Sequence, residues 1–315
     1  MITIFNNNLV NPLFLETNLL NNGVIIDNRY KVSINNNNYY FSCKNLDNTE
    51  KPFTLSHGRF FLYLLYKISV SKTNEIYITY EEYRQFRQIN LLSNARKEFN
   101  KLFQLFRNLI FEGKYKSKNF VEFTKDGNNK TKGLISVTTR FLDSFEIDTK
   151  EIKTNLKQGE GEYNNILSTS KGITMVINSD FFKMIKDSFF LAISEDIFTY
   201  NLNYNKLRYL LMLNICHNYR LNNKKTISKK LLERLFDFDN ISENRHFKRV
   251  KEQIKKDFDY FVKTGFLKNY TMNNFENVNS NFFINFVFSK EINAFFNKHK
   301  PKDKVIIVRT KQERK

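Results

Sequence analysis

Two spacings of apolar residues alternate along this chain, and the clearest stretch is residues 242–270. Phe247, Val250, Ile254, Phe258 and Phe261 recur every three or four positions. At about 100° per residue, all five fall within roughly 80° on one side of a helix. Arg245, Arg249, Glu252 and Lys256 fall on the opposite side, with Lys248 on the flank. Ser242 stands where a side-chain cap opens a helix, and Gly265 where a helix ends. After Gly265 the run Phe-Leu-Lys-Asn-Tyr has the character of a strand.

The first half carries a similar succession. Residues 59–68 predict an apolar helix, 76–79 a short strand, and Thr79 the cap of a second helix over 80–86. Ser93 is placed to cap a third helix with Phe99, Leu102, Phe103, Phe106, Leu109 and Ile110 on one face. Lys97, Lys101, Gln104 and Asn108 point away from that face, and Gly113 is expected to end the helix. Residues 120–124 and 134–138 predict a hairpin around a basic, Gly-containing tip at 125–130.

In the second half, 204–219 predicts an apolar helix, 226–227 a strand stub, and Ser228 the cap of a helix over 229–236. The helix after Ser242 follows, then a hairpin with strands at 266–270 and 281–288 and a polar tip between them. Similar helix starts, Tyr63-Leu64-Leu65 and Tyr209-Leu210-Leu211, precede the capping serines by 30 and 33 residues. Helix, strand, helix, helix, hairpin is the order of a helix-turn-helix with a β-wing. The fold class expected is therefore α+β, with tandem winged-helix domains and a small β-rich N-terminal extension.

The boundaries expected are a β-rich extension at 1–50, with strands near 24–26, 30–34 and 39–41 between Asn clusters, then a first winged helix at 51–142. A linker is expected at 143–172. A second, DNA-reading winged helix is placed at 173–297, with the strand at 173–177 able to belong to either half, and a basic tail at 298–315.

Charge sharpens this picture. The net charge is +19, which points to a polyanionic partner. Abundant Asn, Lys, Ile, Phe and Tyr with few Gly and Pro is what AT-rich codon usage produces, so where the charge sits is more informative than its total. Residues 206–270 hold 16 Lys and Arg against 7 Asp and Glu. Arg245 and Arg249 lie one turn apart near the start of the helix, where base contacts are usually made, and arginine can bond guanine through two hydrogen bonds. The candidate DNA-binding residues are Asn244, Arg245, Lys248, Arg249, Lys256, Lys229, Lys230, Lys97 and Lys101. No run approaches the 18 apolar residues of a membrane span, and the N-terminus lacks the pattern of a signal peptide. Nucleic acid is therefore the favoured anion, with no membrane partner, in a reducing cytoplasm. Cys43 and Cys216 are far apart and suggest neither a disulfide framework nor zinc.

Catalytic motifs are missing from the sequence. The four histidines, His57, His217, His246 and His299, form no His-x-His pair and no His-Glu-x-x-His helix. No phosphate-binding P-loop and no Gly-x-Ser-x-Gly elbow occur. Neither cofactor nor metal is expected, and no enzyme.

Residues 228–236, 245–254 and 261–267, the last reading Phe-Val-Lys-Thr-Gly-Phe-Leu, resemble the C-terminal winged helix of plasmid replication initiator proteins that bind iterons, the direct repeats of an origin. The resemblance covers roughly residues 50–290. It implies that Arg245, Lys248 and Arg249 enter a major groove, and that the first domain binds adjacent DNA through Lys97 and Lys101 or forms a dimer interface. It also implies a monomer–dimer equilibrium and recruitment of a host initiator and helicase. The function expected is a sequence-specific double-stranded DNA-binding initiator of a plasmid or phage. A winged-helix transcriptional regulator is the alternative, and a DNA-nicking replication enzyme a third reading.

Overall fold

A computed structural model describes residues 2–5, 24–26, 29–34, 37–43, 55–106, 109–123, 130–148, 170–187, 190–193, 195–222, 225–236, 244–298 and 307–309. The elements in chain order begin with β1 (Ile2–Phe5), β2 (Val24–Ile26), β3 (Arg29–Ile34) and β4 (Asn37–Cys43). Then come α1 (Leu55–Val70), β5 (Glu75–Thr79), α2 (Tyr80–Arg87), α3 (Leu92–Phe106), β6 (Leu109–Phe123), β7 (Lys130–Arg140), β8 (Leu142–Asp148), β9 (Gly172–Ile177) and α4 (Ser179–Asp187). The rest are β10 (Phe190–Ile193), a 3-10 turn (Glu195–Phe198), α5 (Leu202–Asn222), β11 (Thr226–Ser228), α6 (Lys229–Phe236), α7 (Asn244–Lys263), β12 (Leu267–Asn273), β13 (Phe283–Phe288), α8 (Lys290–Lys298) and β14 (Ile307–Arg309). Helices and small, mainly antiparallel sheets are mixed, as the α+β expectation has it. The chain divides into two compact units, the described residues from 24 to 187 with 307–309 in one, and those from 190 to 298 in the other.

The first unit is built around α1. An unbroken run from Gly58 to Leu65 is buried, so this helix is apolar on nearly every side and belongs at the centre of a core. Phe60 meets Phe99 edge-on at 5.0 Å, and Phe61 stacks on Phe106 at 5.3 Å. Thr79 caps α2 as expected, its side chain accepting from Glu82 N. The expected cap at Ser93 is displaced: Asn94 N and Ala95 N both donate to Leu91 O, so the helix turns in two residues earlier and Ser93 lies in its first turn. Its far end is corrected too. Leu109 and Ile110, expected on the helix, begin β6, and Gly113 lies inside that strand opposite Val137. The run 102–111 is apolar enough to satisfy either period, and pairing of Leu109–Glu112 with residues 40–43 of β4 decides it.

The strands expected at 24–26, 30–34 and 39–41 are present as β2, β3 and β4. They join β6, β7 and β14 in one six-stranded sheet. Within the expected linker, 143–148 forms most of β8; residues 149–169 lie outside the described part. The strand at 173–177, β9, which could belong to either half, is the middle strand of a sheet with β5 and β8, so the boundary expected at 173 moves beyond it. The reason is partners: Ile76 and Phe145 both face Met175, one from each side. Gly172 is needed at this junction, because a Cβ there would lie 2.4 Å from Ile78 O. Lys186 on α4 donates to Ser69 O and Ser71 O at 2.9 and 2.6 Å, placing a cation on the carbonyl end of α1.

The second unit repeats the plan around α5, in which residues 209–216 are all buried. Asn214, 2% exposed, satisfies its amide by donating to Leu210 O at 2.9 Å. α6 runs over 229–236 as expected. A three-stranded sheet, β11-β13-β12, pairs Ile227 with Ile284 and Tyr270 with Phe286. Gly265 has φ +73, and Phe266 N donates to Phe261 O at 2.9 Å, so α7 ends in the left-handed turn that glycine favours. The expected cap Ser242 lies outside the described residues. Sequence reading did not anticipate α8, although its signal was present: Ser289 Oγ accepts from Ile292 N at the helix start. In the basic tail, 307–309 pairs in parallel with β6.

Candidate nucleic-acid interface

α7 packs as its apolar spacing predicts. Phe247 is 4% exposed, Ile254, Phe258 and Phe261 are fully buried, and Val250 is half-buried. Each such phenylalanine contributes about 2 kcal/mol of burial, so this face decides which side of the helix turns inward. Lys248, Arg249, Glu252, Lys255, Lys256 and Asp259 are exposed on the rest of its surface. Lys248 and Lys256 are eight residues apart, about 12 Å along a helix. Asn244 and Arg245 open the helix in its first turn, and their side chains lie outside the described residues.

Both flanks of α7 are tied down by polar contacts. On one flank, Arg208 Nε of α5 donates to Asp257 Oδ1 at 2.9 Å, and Gln253 Nε2 donates to Asp257 Oδ2 at 3.0 Å. The Arg208 guanidinium also lies 3.9 Å over the Tyr260 ring. Asp257 is 1% exposed. Burial pushes its carboxyl above the usual range, against the pull of Gln253, Arg208 and Lys256. On the other flank, Lys251 Nζ donates to Phe275 O at 2.7 Å, and Tyr270 Oη donates to Asp259 Oδ1 at 2.6 Å.

The cations expected on α6 divide. Lys230 is exposed. Lys229 is half-buried and donates to Val278 O at 2.7 Å, with its ammonium 5.3 Å over the Phe282 ring and 3.6 Å from Glu233. Lys229 and Lys251 thus hold the turn between β12 and β13 by its carbonyls. That turn carries Asn274, Glu276, Asn277, Asn279, Ser280 and Asn281 and no cation.

In the first unit, α3 buries Ala95, Phe99, Leu102, Phe103 and Phe106 and exposes Lys97, Lys101 and Gln104. Leu91 and Leu92 are exposed at its start. Inward, Glu98 accepts from Arg87 Nε at 2.9 Å and Tyr83 Oη at 2.7 Å. Burial pushes its carboxyl up, but Arg87, Tyr83 and Arg59 outweigh that and hold it below the usual range. Tyr80 Oη donates to Asn100 Oδ1 at 2.8 Å. His57 on α1 is held down to about pKa 4, by burial first and then by the nearby Lys101 ammonium.

The outer face of β5-β9-β8 is of the opposite sign. Glu75, Tyr77, Glu146 and Asp148 share it by register, and Tyr77 Oη donates to Asp148 Oδ2 at 2.5 Å. That face would repel a polyanion. Among the described residues no group of three or more His, Cys, Asp or Glu is placed to hold a metal ion, and no helix is long and apolar enough to cross a membrane. The contacts that sequence reading missed are Arg208, Asp257 and Lys251. The only signal was Gln253 four residues before Asp257 at the edge of the apolar stripe.

No protein-family model matches the sequence, and no curated protein does either. Solved structures do match by fold. RctB domains 2-3 superpose with a TM-score of 0.50 at 13% identity, covering 85% of this chain and 93% of that one. A second structure of RctB domains 2 and 3 gives 0.49 at 14% identity, over 82% and 90%. The Pi initiator protein in complex with iteron DNA gives 0.41 at 15% identity, over 76% and 92%. Pi is by its name an initiator bound to iteron DNA, the class of protein that residues 228–267 resemble. At these identities the likeness is one of fold.

Proposed function

We propose that each unit is a winged helix, that the second reads double-stranded DNA, and that the chain is a replication initiator acting on direct repeats at an origin. The observation that carries this reading is α7: one face sealed into the core, and Lys248, Arg249 and Lys256 exposed on the other. A helix about 10–12 Å across with its side chains fits a B-DNA major groove about 12 Å wide. The hairpin β12–β13 follows as a wing. Arg245, Lys248 and Arg249 face bases; Lys256 and Lys230 meet phosphates. Lys97 and Lys101 of the first unit touch adjacent DNA without choosing sequence. The role needs binding alone, in the cytoplasm, with strand opening left to a recruited host initiator and helicase, and with a monomer–dimer balance setting occupancy.

The test is selection of duplexes by the whole chain from a random library, followed by titration at several salt concentrations. Enrichment of one motif, present as direct repeats beside the gene, is expected, with an affinity that falls steeply as salt rises. Deleting the gene should stop replication of its replicon. A palindromic site with a dispensable gene would turn the reading to a transcriptional regulator, since fold does not fix function. Supercoiled plasmid incubated with magnesium should stay unnicked; a tyrosyl–DNA adduct would make the protein an enzyme.

A further inference from the structure

The outer face of α7 can be useful only if the helix is held at one rotation. Turning a helix by about 20° moves its side-chain ends by about 2 Å, enough to break a two-bond contact to a base edge. The apolar face alone leaves some latitude, because Val250 is half-buried and aromatic rings repack. A directional restraint comes from α5. Arg208 bonds Asp257 through Nε at 2.9 Å and its guanidinium carbon lies 3.9 Å from the ring centre of Tyr260, three residues further along α7. Gln253, one turn before Asp257, closes the other carboxylate oxygen at 3.0 Å. Three successive positions on one flank of α7 are thereby fixed to, or through, one planar group.

We propose that Arg208 is a positioning residue for DNA reading: it touches no base, but sets the rotation of α7 and so determines which bases the outer side chains select. The pair is a poor device for stability alone. A buried ion pair replaced by well-packed apolar residues is often neutral or stabilising. What apolar residues cannot supply is a directional tie. This inference rests on the DNA-reading role proposed above.

The experiment uses the whole chain and three proteins: wild type, the double variant Arg208→Met with Asp257→Leu, and Arg208→Lys. Each is titrated with the duplex selected by wild type and with a scrambled duplex of equal length, and each selects again from the random library. The double variant is expected to keep its melting temperature, its affinity for scrambled duplex and its salt dependence. Its ratio of selected to scrambled affinity should fall at least tenfold, and its selected motif should broaden. Arg208→Lys keeps the charge but not the planar guanidinium beside Tyr260, and should lose threefold or more. If the double variant does not fold, Arg208→Lys decides by itself. An unchanged ratio and motif in the folded variants would overturn the positioning role while leaving the DNA-reading role intact. Failure of wild type to discriminate the two duplexes would overturn both.

Discussion

α3 and α7 solve the same packing problem and differ in everything that faces outward. Each is the second helix of a pair laid against a central apolar helix, α1 or α5, and each turns phenylalanines inward at helical spacing. On the outside, α3 offers Lys97, Lys101 and Gln104 after two exposed leucines, whereas α7 offers an arginine and several lysines. Their inner polar ties differ in depth as well. The Glu98 side chain keeps 34% of its surface in solvent, but Asp257 keeps 1%. Core packing therefore places both helices, and only α7 joins an exposed arginine outside to a fully buried tie inside, the combination that the proposed DNA-reading role asks for.

The largest expected effect tests that difference in depth. Asp257→Ala strands the Arg208 guanidinium in a nearly dry site and should cost about 3–5 kcal/mol. Glu98→Ala should cost less, because Glu98 keeps a third of its surface in solvent and water can take its place beside Arg87. Denaturant unfolding followed by hydrogen exchange at each helix separates the two, and equal losses would erase the contrast. Next comes DNA binding. Arg249→Ala should weaken the selected duplex by about 1–3 kcal/mol and relax its sequence, while Lys97→Ala should weaken all duplexes alike and reduce the salt slope by about one. If Lys97→Ala relaxed the sequence instead, the first unit would be a reader too.

The third effect is confined to the first unit. His57 titrates near 4 in the folded chain, below its ordinary 6.5. Between those values the unfolded chain holds more protons than the folded one, so stability rises with pH across this window and is lost on acidification through it. Allowing for the solvent His57 still touches, the loss is on the order of 2 kcal/mol. His57→Gln should flatten the curve between pH 6.5 and 4. Melting of the first unit should move with pH over that range more than melting of the second.

Much of this was legible from spacing. α6 and α7, the strand stubs β5 and β11, and the inward face of α7 follow from periodicity and caps, because local sequence decides them. The far end of α3 was not legible: residues 102–111 satisfy a helix and a strand equally, and β4, some 65 residues earlier, chooses between them. β9 was visible as a strand but not as the partner of β5 and β8, since antiparallel partners about 30 and nearly 100 residues apart leave no mark on local pattern. Among candidate cations, spacing told exposed from buried and could not tell Lys230 from Lys229. Only the position of Val278 O shows that one of two adjacent lysines is occupied within the fold.

The smallest expected effect concerns how the two units end a helix. α2 stops at Gln88 with φ 52, and α7 stops at Gly265 with φ +73. Both are left-handed, but glycine occupies such a position without the steric cost a side chain incurs. Gln88→Gly should therefore stabilise the first unit by up to about 1 kcal/mol. Gly265→Ala should cost the second about as much, from backbone conformation alone, because a Cβ at Gly265 meets nothing within 4 Å. On thermal melting these are shifts of about 2–4 °C in opposite directions. A loss at Gln88 would mean that its side chain holds the turn into α3, and that the two helix ends are not the same device.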